Sequence, residues 1–121
     1  MEFLPNCILD DQPTLNECIR FQGRERKFNI PQEISIKYRD FGILLLDDRT
    51  GARLEALEHE HRCNAELINS KILQQWIAGK GKRPISWKTL TEVLRDVELN
   101  TLAEDIDHVK CSWFWTLIDL L

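Results

Sequence analysis

The chain has 121 residues, enough for one domain that buries a single core without disulfide or metal staples. Charged residues make up 30% and hydrophobic residues 43%, which excludes a disordered tail, and the net charge of -4 argues against wholesale nucleic-acid binding, which needs a basic footprint. The cysteines, Cys7, Cys18, Cys63 and Cys111, stand far apart with no C-x-x-C pair, so neither a zinc ribbon nor a disulfide framework is indicated and a reducing, cytoplasmic location is expected.

In chain order, MEFLPNCILDD lacks a basic leading region and meets Pro5, Asp10 and Asp11 before its apolar run reaches signal length, so nothing in it targets secretion. Residues 11–22 place Thr14 and Glu17 in capping-box spacing ahead of Leu15, Cys18 and Ile19, which predicts a short helix. GRERK reads as a basic, glycine-led linker. Pro31 suits the first position of a helix running to about Leu46, with Ile34, Tyr38, Phe41, Leu45 and Leu46 buried. A hairpin through ILLLDDRTGARLEAL is the competing reading. It is less favoured, because GILLL shows no period-2 alternation and Leu54 and Leu57 fit a short helix.

From Asn64 to Ala78 the residues Ala65, Ile68, Ile72, Leu73 and Trp76 recur at helical spacing, with Ser70, Lys71, Gln74 and Gln75 opposite, and the helix stops at Gly79. GKGKRP is then a loop. Ser86 is the expected N-cap of a helix ending near Leu99, whose buried stripe is Leu90, Val93, Leu94 and Val97. T-L-A-E at 101–104 is a capping-box pattern opening another helix, with Leu102, Ala103, Ile106 and Val109 inward. Helices joined by such short loops require an antiparallel bundle. The closing CSWFWTLIDLL is the most apolar window, yet far shorter than the roughly 20 residues that span a bilayer. It is expected to extend the last helix and pack on the core, the alternative being a partner-binding end.

These segments carry a resemblance. KYRDFGILL, LEALEHEH, KILQQWIAGKG, PISWKTLTEVLRDVEL and LAEDI, in this order and spacing, resemble a death domain over residues 30–108, most specifically through Leu73-x-x-Trp76, Ser86-Trp87-x-x-Leu90-x-x-x-Leu94 and Leu102-Ala103. Tyr38 departs from the tryptophan that the family often has on its second helix. The resemblance implies an all-α fold, a six-helix antiparallel Greek-key bundle over residues 30–110; the residues outside it add a segment 1–29 with one short extra helix and an apolar helical extension at 111–121. It also implies a non-enzymatic adaptor that assembles homotypically with other death domains or with itself, oligomeric when activated, as in apoptotic or innate-immune signalling. In that family the loop between the fourth and fifth helices and the junction of the fifth and sixth are opposite halves of one recurring contact. Here the first place carries Lys80, Lys82 and Arg83, and the second carries Asp96, Glu98, Glu104 and Asp105. Opposite signs on different faces define a heterologous interface, which propagates because the patch used is not the patch left free. The plainer alternative is a solubilising surface.

Read without the resemblance, the residues offer no nucleophile beside a base and no carboxylates that spacing would pair, so no catalytic or cofactor residues are expected. GKGK at 79–82 lacks the spacing to a second Gly-Lys-Ser/Thr that a phosphate loop has. The second functional reading is a helical nucleic-acid-binding domain that sets GKGKR and Lys88 against phosphates. His59, His61 and Cys63 in EHEHRCNAE look like metal ligands, but on a continuous helix His59 and Cys63 share a face while His61 turns away, structural zinc wants four ligands, and H-E-x-x-H is absent. No metal is expected there. Trp76 and Trp87 fall in phase with Ile72, Leu73, Leu90 and Leu94, which favours the core over an interface anchor.

Overall fold

Both halves of the first capping box form. The Thr14 hydroxyl accepts from the Glu17 amide at 3.1 Å and the Glu17 carboxylate accepts from the Thr14 amide at 3.2 Å, which starts α1, Leu15–Ile19. The computed structural model describes the backbone of residues 12–47, 51–62 and 64–120, with side chains as far as Lys110.

The expected basic linker is the tip of a hairpin. Strand β1, Phe21–Gln22, pairs antiparallel with β2, Lys27–Phe28, and the Gly23 amide closes the turn on the Arg26 carbonyl at 2.8 Å. Phe21 and Phe28 face each other across it with ring centres 5.0 Å apart, and Phe21 lies 5.7 Å from the ring of Trp87. Both are buried together with Cys18, so this stretch belongs to the core rather than to an appendage. Two-residue strands have no periodicity for a sequence reading to find.

Asn29 caps α2, Ile30–Ile34, by accepting from the Gln32 amide, and Pro31 sits in its first turn, where its missing N–H is no loss. The helix expected to reach Leu46 without interruption breaks at Ser35, whose φ is +51°; a 3-10 turn, Ser35–Lys37, then leads into α3, Tyr38–Leu46. A tertiary bond holds the break. The buried Asn69 donates its amide hydrogens to the carbonyls of Pro31 and Ser35, each at 3.0 Å. Phe41, Leu45 and Leu46 are buried as expected, while Tyr38 is half-buried, its hydroxyl donating to Glu58 at 2.9 Å.

Gly51, with φ +73°, precedes α4, Ala52–Glu60. Helix flanks the DDRTG turn on both sides, so the competing hairpin does not form in the described residues; residues 48–50 lie outside them. Asn64 caps α5, Ala65–Ile77, which buries Ile68, Asn69, Ile72, Leu73 and Trp76. It closes in a Schellman motif, with Gly79 at φ +82° and bonds from Gly79 to Trp76 and from Lys80 to Gln75.

Ser86 caps α6, Trp87–Asp96, accepting from the Thr89 amide at 3.1 Å, and its inward stripe is the one the spacing predicts. This helix stops earlier than expected, because Glu98 takes a left-handed φ of +66° and the Leu99 amide turns back to the Leu94 carbonyl at 2.8 Å. The last helix, α7, is Asn100–Leu120. Its start corrects the T-L-A-E reading. The Ala103 amide donates to the Leu99 carbonyl, so Leu99 is the N-cap and Thr101 lies within the first turn. The backbone of the apolar tail continues α7, as expected of a helical extension, and its side chains lie outside the description.

The protein is therefore mostly helical with one small hairpin. Helix α5 is central, packing against α1, α2, α3 and α4, while α6 bridges α3 and α7. Among the described residues Trp76, Trp87 and Phe41 are the largest fully buried side chains, so neither of these tryptophans is an exposed interface anchor.

Candidate functional site

The two charge clusters lie at the two ends of α6. Its ten residues rise about 15 Å. Ahead of its first turn the interhelical loop exposes Lys80 and Lys82, and Lys88 is exposed just inside the helix. The loop is tied to the domain behind it. Arg53 donates to the Lys80 carbonyl at 2.9 Å, and a Cβ on Gly81 would stand 3.2 Å from the Leu45 carbonyl oxygen. Arg83 is part of this attachment. It is half-buried and donates from Nε to the Leu44 carbonyl at 2.7 Å, so its cation serves the end of α3 rather than a surface.

At and beyond the C-terminal end of α6, Asp96, Glu98 and Glu104 are exposed and make no ion pair among the described residues. Asp105 differs. It is half-buried, accepts from the Arg24 amide at 3.4 Å and lies 3.5 Å from the Arg24 guanidinium. Lys80, Lys82, Asp96, Glu98 and Glu104 thus form two open patches of opposite sign, and Arg83 and Asp105 hold the scaffold beneath them.

The acidic patch borders a feature that sequence reasoning missed. A cleft of about 430 Å³ runs between the turn of the β-hairpin and the α6–α7 junction. Phe28, Leu99 and Leu102 supply its apolar surface, and Glu98, Glu104 and Asp105 lie along it. One wall comes from Arg24, Glu25, Arg26 and Phe28, at least 70 positions away in the chain from Glu98 and the residues after it. Only the well-marked capping box at Thr14 signals that the N-terminal stretch is ordered.

His59 is exposed near the end of α4, and His61 follows that helix with its Nε2 4.0 Å from a Glu60 oxygen. Cys63 lies outside the described residues. Among the described residues no group of three or more His, Cys, Asp or Glu side chains is placed to hold a metal ion. Nor is any of their helices long and apolar enough to cross a membrane.

Cys18, on the inner face of α1, is buried, and its thiol is pushed from 9.0 up to about 12, chiefly by burial and secondly by the Glu17 charge, with Lys110 opposing. At neutral pH it is a packed thiol and not a nucleophile. The Lys110 ammonium lies 4.1 Å from the centre of the Trp87 ring and 3.2 Å from the Glu17 carboxylate, joining α7 to α6 and α1.

No protein-family model matches this sequence, and neither a curated protein nor a solved structure matches it.

Proposed function

We propose that the protein is a non-enzymatic interaction module that assembles with copies of itself, or with domains of the death-domain kind, through the opposite charges at the two ends of α6. On this reading the helices α2 to α7 correspond to the six-helix Greek-key bundle of that family, with α1 and the hairpin as an addition at its N-terminal side. The observation that carries the reading is the pair of exposed patches: Lys80 and Lys82 at one end of α6, Asp96, Glu98 and Glu104 at the other, none neutralised within the described residues. Two unlike surfaces separated along one rigid helix make a head-to-tail contact that leaves a free patch at each end of the growing assembly. Charge complementarity of this kind sets encounter rate and specificity.

Light scattering over a concentration series tests it. Wild type should gain mass with concentration, Lys82→Glu should gain less, and Glu98→Lys with Glu104→Lys should restore association when mixed with Lys82→Glu. Association indifferent to both reversals, in proteins still helical by circular dichroism, sinks the reading. Loss of association to added DNA would instead support the nucleic-acid alternative, in which Lys80, Lys82 and Lys88 face phosphates.

A further inference from the structure

We propose that the cleft between the β-hairpin turn and the α6–α7 junction, together with Ile36 beside it, is a docking site for a short extended segment of a partner protein that carries lysine or arginine around one aliphatic anchor. It rests on the reading of Glu98 and Glu104 as contact residues and adds to it a peptide that seats in the cleft these two side chains line.

Charge selects the occupant. Of the ionic side chains on the cleft, Arg26 is paired with Glu33 and Arg24 with Asp105, so both cations are neutralised inside the site. Glu25, Glu98 and Glu104 have no such partner among the described residues and are exposed. The net field at the rim is negative, which selects a basic occupant.

Shape and apolar surface supply the anchor. At about 430 Å³ the cleft is within the usual range of roughly 300–1,000 Å³ for ligand pockets, and the half-buried Leu99 and Leu102 with Phe28 give it an apolar wall. Asn100 and Thr101, in the first turn of α7, also line the cleft, and the preceding Leu99 has no side-chain acceptor for the first-turn amides of that helix.

Ile36 adds a contact outside the cleft. It is 81% exposed, and its chain neighbours reach the rim: Glu33, three residues earlier, lines the cleft, and Lys37 donates to the Val97 carbonyl at 3.1 Å, next to Glu98. The left-handed Ser35 that presents it is held by buried Asn69. A large apolar side chain kept in water by a strained, tertiary-braced turn is placed for contact. The chain's own loop can meet the rim through Lys80 and Lys82 but does not fill the cleft, because its aliphatic Ile85 is half-buried in its own fold.

The probe is a labelled octapeptide, Gly-Ser-Lys-Lys-Leu-Lys-Ser-Gly, titrated by fluorescence anisotropy against the full chain. Two control peptides replace its lysines with glutamate or its leucine with glycine. Glu98→Lys with Glu104→Lys should weaken binding about tenfold, and Ile36→Ala about threefold, whereas Asp40→Lys with Glu55→Lys, the same charge change elsewhere, should leave it within about twofold. No binding, equal binding of either control peptide, or equal losses in the two charge-reversed proteins overturns the proposal. Lys82→Glu separates the two readings: it should weaken self-association and leave peptide binding intact. Peptide binding without self-association would refute assembly through α6 alone.

Discussion

Arg83 reaches back from the interhelical loop and donates from Nε to the Leu44 carbonyl, 2.7 Å away, one of the last carbonyls of α3. A helix end leaves such carbonyls without partners, and a cation there also meets the negative end of the helix dipole. Arg83→Ala should therefore lower stability by about 1.5 kcal/mol, with the partial exposure of the side chain setting the low end of the range for charged hydrogen bonds. Lys82→Ala, one residue away and exposed, should stay within about 0.5 kcal/mol. Urea unfolding at unchanged slope is the measurement. Equal effects would show that the bond to Leu44 contributes nothing.

Asn69 and Ser35 predict changes of opposite sign. Replacing Asn69 with leucine strips two carbonyls of their buried donor and should cost about 3 kcal/mol. Ser35→Gly relieves a non-glycine φ of +51° and should gain about 1 kcal/mol after the entropy of the freer unfolded chain is deducted. Thermal melts of the two variants check this, and a Ser35→Gly protein less stable than wild type would show that the turn is not strained.

The hairpin is expected to be indispensable. Phe21 is 4% exposed and packs on Phe28 and Trp87, so Phe21→Ala should cost about 3 to 5 kcal/mol. Deleting residues 1–29 removes Cys18, Phe21 and Phe28 from the core at once. The shortened chain should lose its near-ultraviolet dichroism and its cooperative melt. A sharp transition in that protein would mean that residues 30–121 fold by themselves.

Cys18 gives a pH dependence. Its folded thiol is held up to about 12 against 9.0 ordinarily, so an unfolded chain loses that proton first as pH rises. The contribution is fully present below pH 9 and is lost progressively between 9 and about 12. Stability measured by urea should decline over that window, less steeply in Cys18→Ala after its cavity penalty is subtracted. At pH 8 iodoacetamide should label Cys18 only on unfolding, followed on its own peptide by mass spectrometry; prompt labelling of the native chain would contradict the burial.

Wherever one helix face had to be apolar, the helices were legible. Ile68, Ile72, Leu73 and Trp76 on α5 and Leu90, Val93, Leu94 and Val97 on α6 declared their inner faces by spacing alone, and Asn64, Ser86 and Thr14 cap where such residues should. The charge patches were legible in part. Sequence located Lys80, Lys82, Asp96, Glu98 and Glu104, but it could not tell that Arg83 and Asp105 are engaged by Leu44 and Arg24, since both partners are distant in the chain.

Local pattern determined the helical character of most of the chain, the inward faces of α5 and α6 and which end of α6 carries which charge, because capping and amphipathic periodicity act within a few residues. Tertiary structure alone decided the break at Ser35, the early end of α6, the place of the hairpin in the core and the cleft. Each depends on a partner far along the chain or on a backbone angle that the residue itself disfavours: Asn69 holding Ser35, Trp87 receiving Phe21, and the α6–α7 junction facing Phe28 across the cleft. Such contacts are settled by packing after the helices meet, and no local preference at Ser35 or Glu98 announces a left-handed φ.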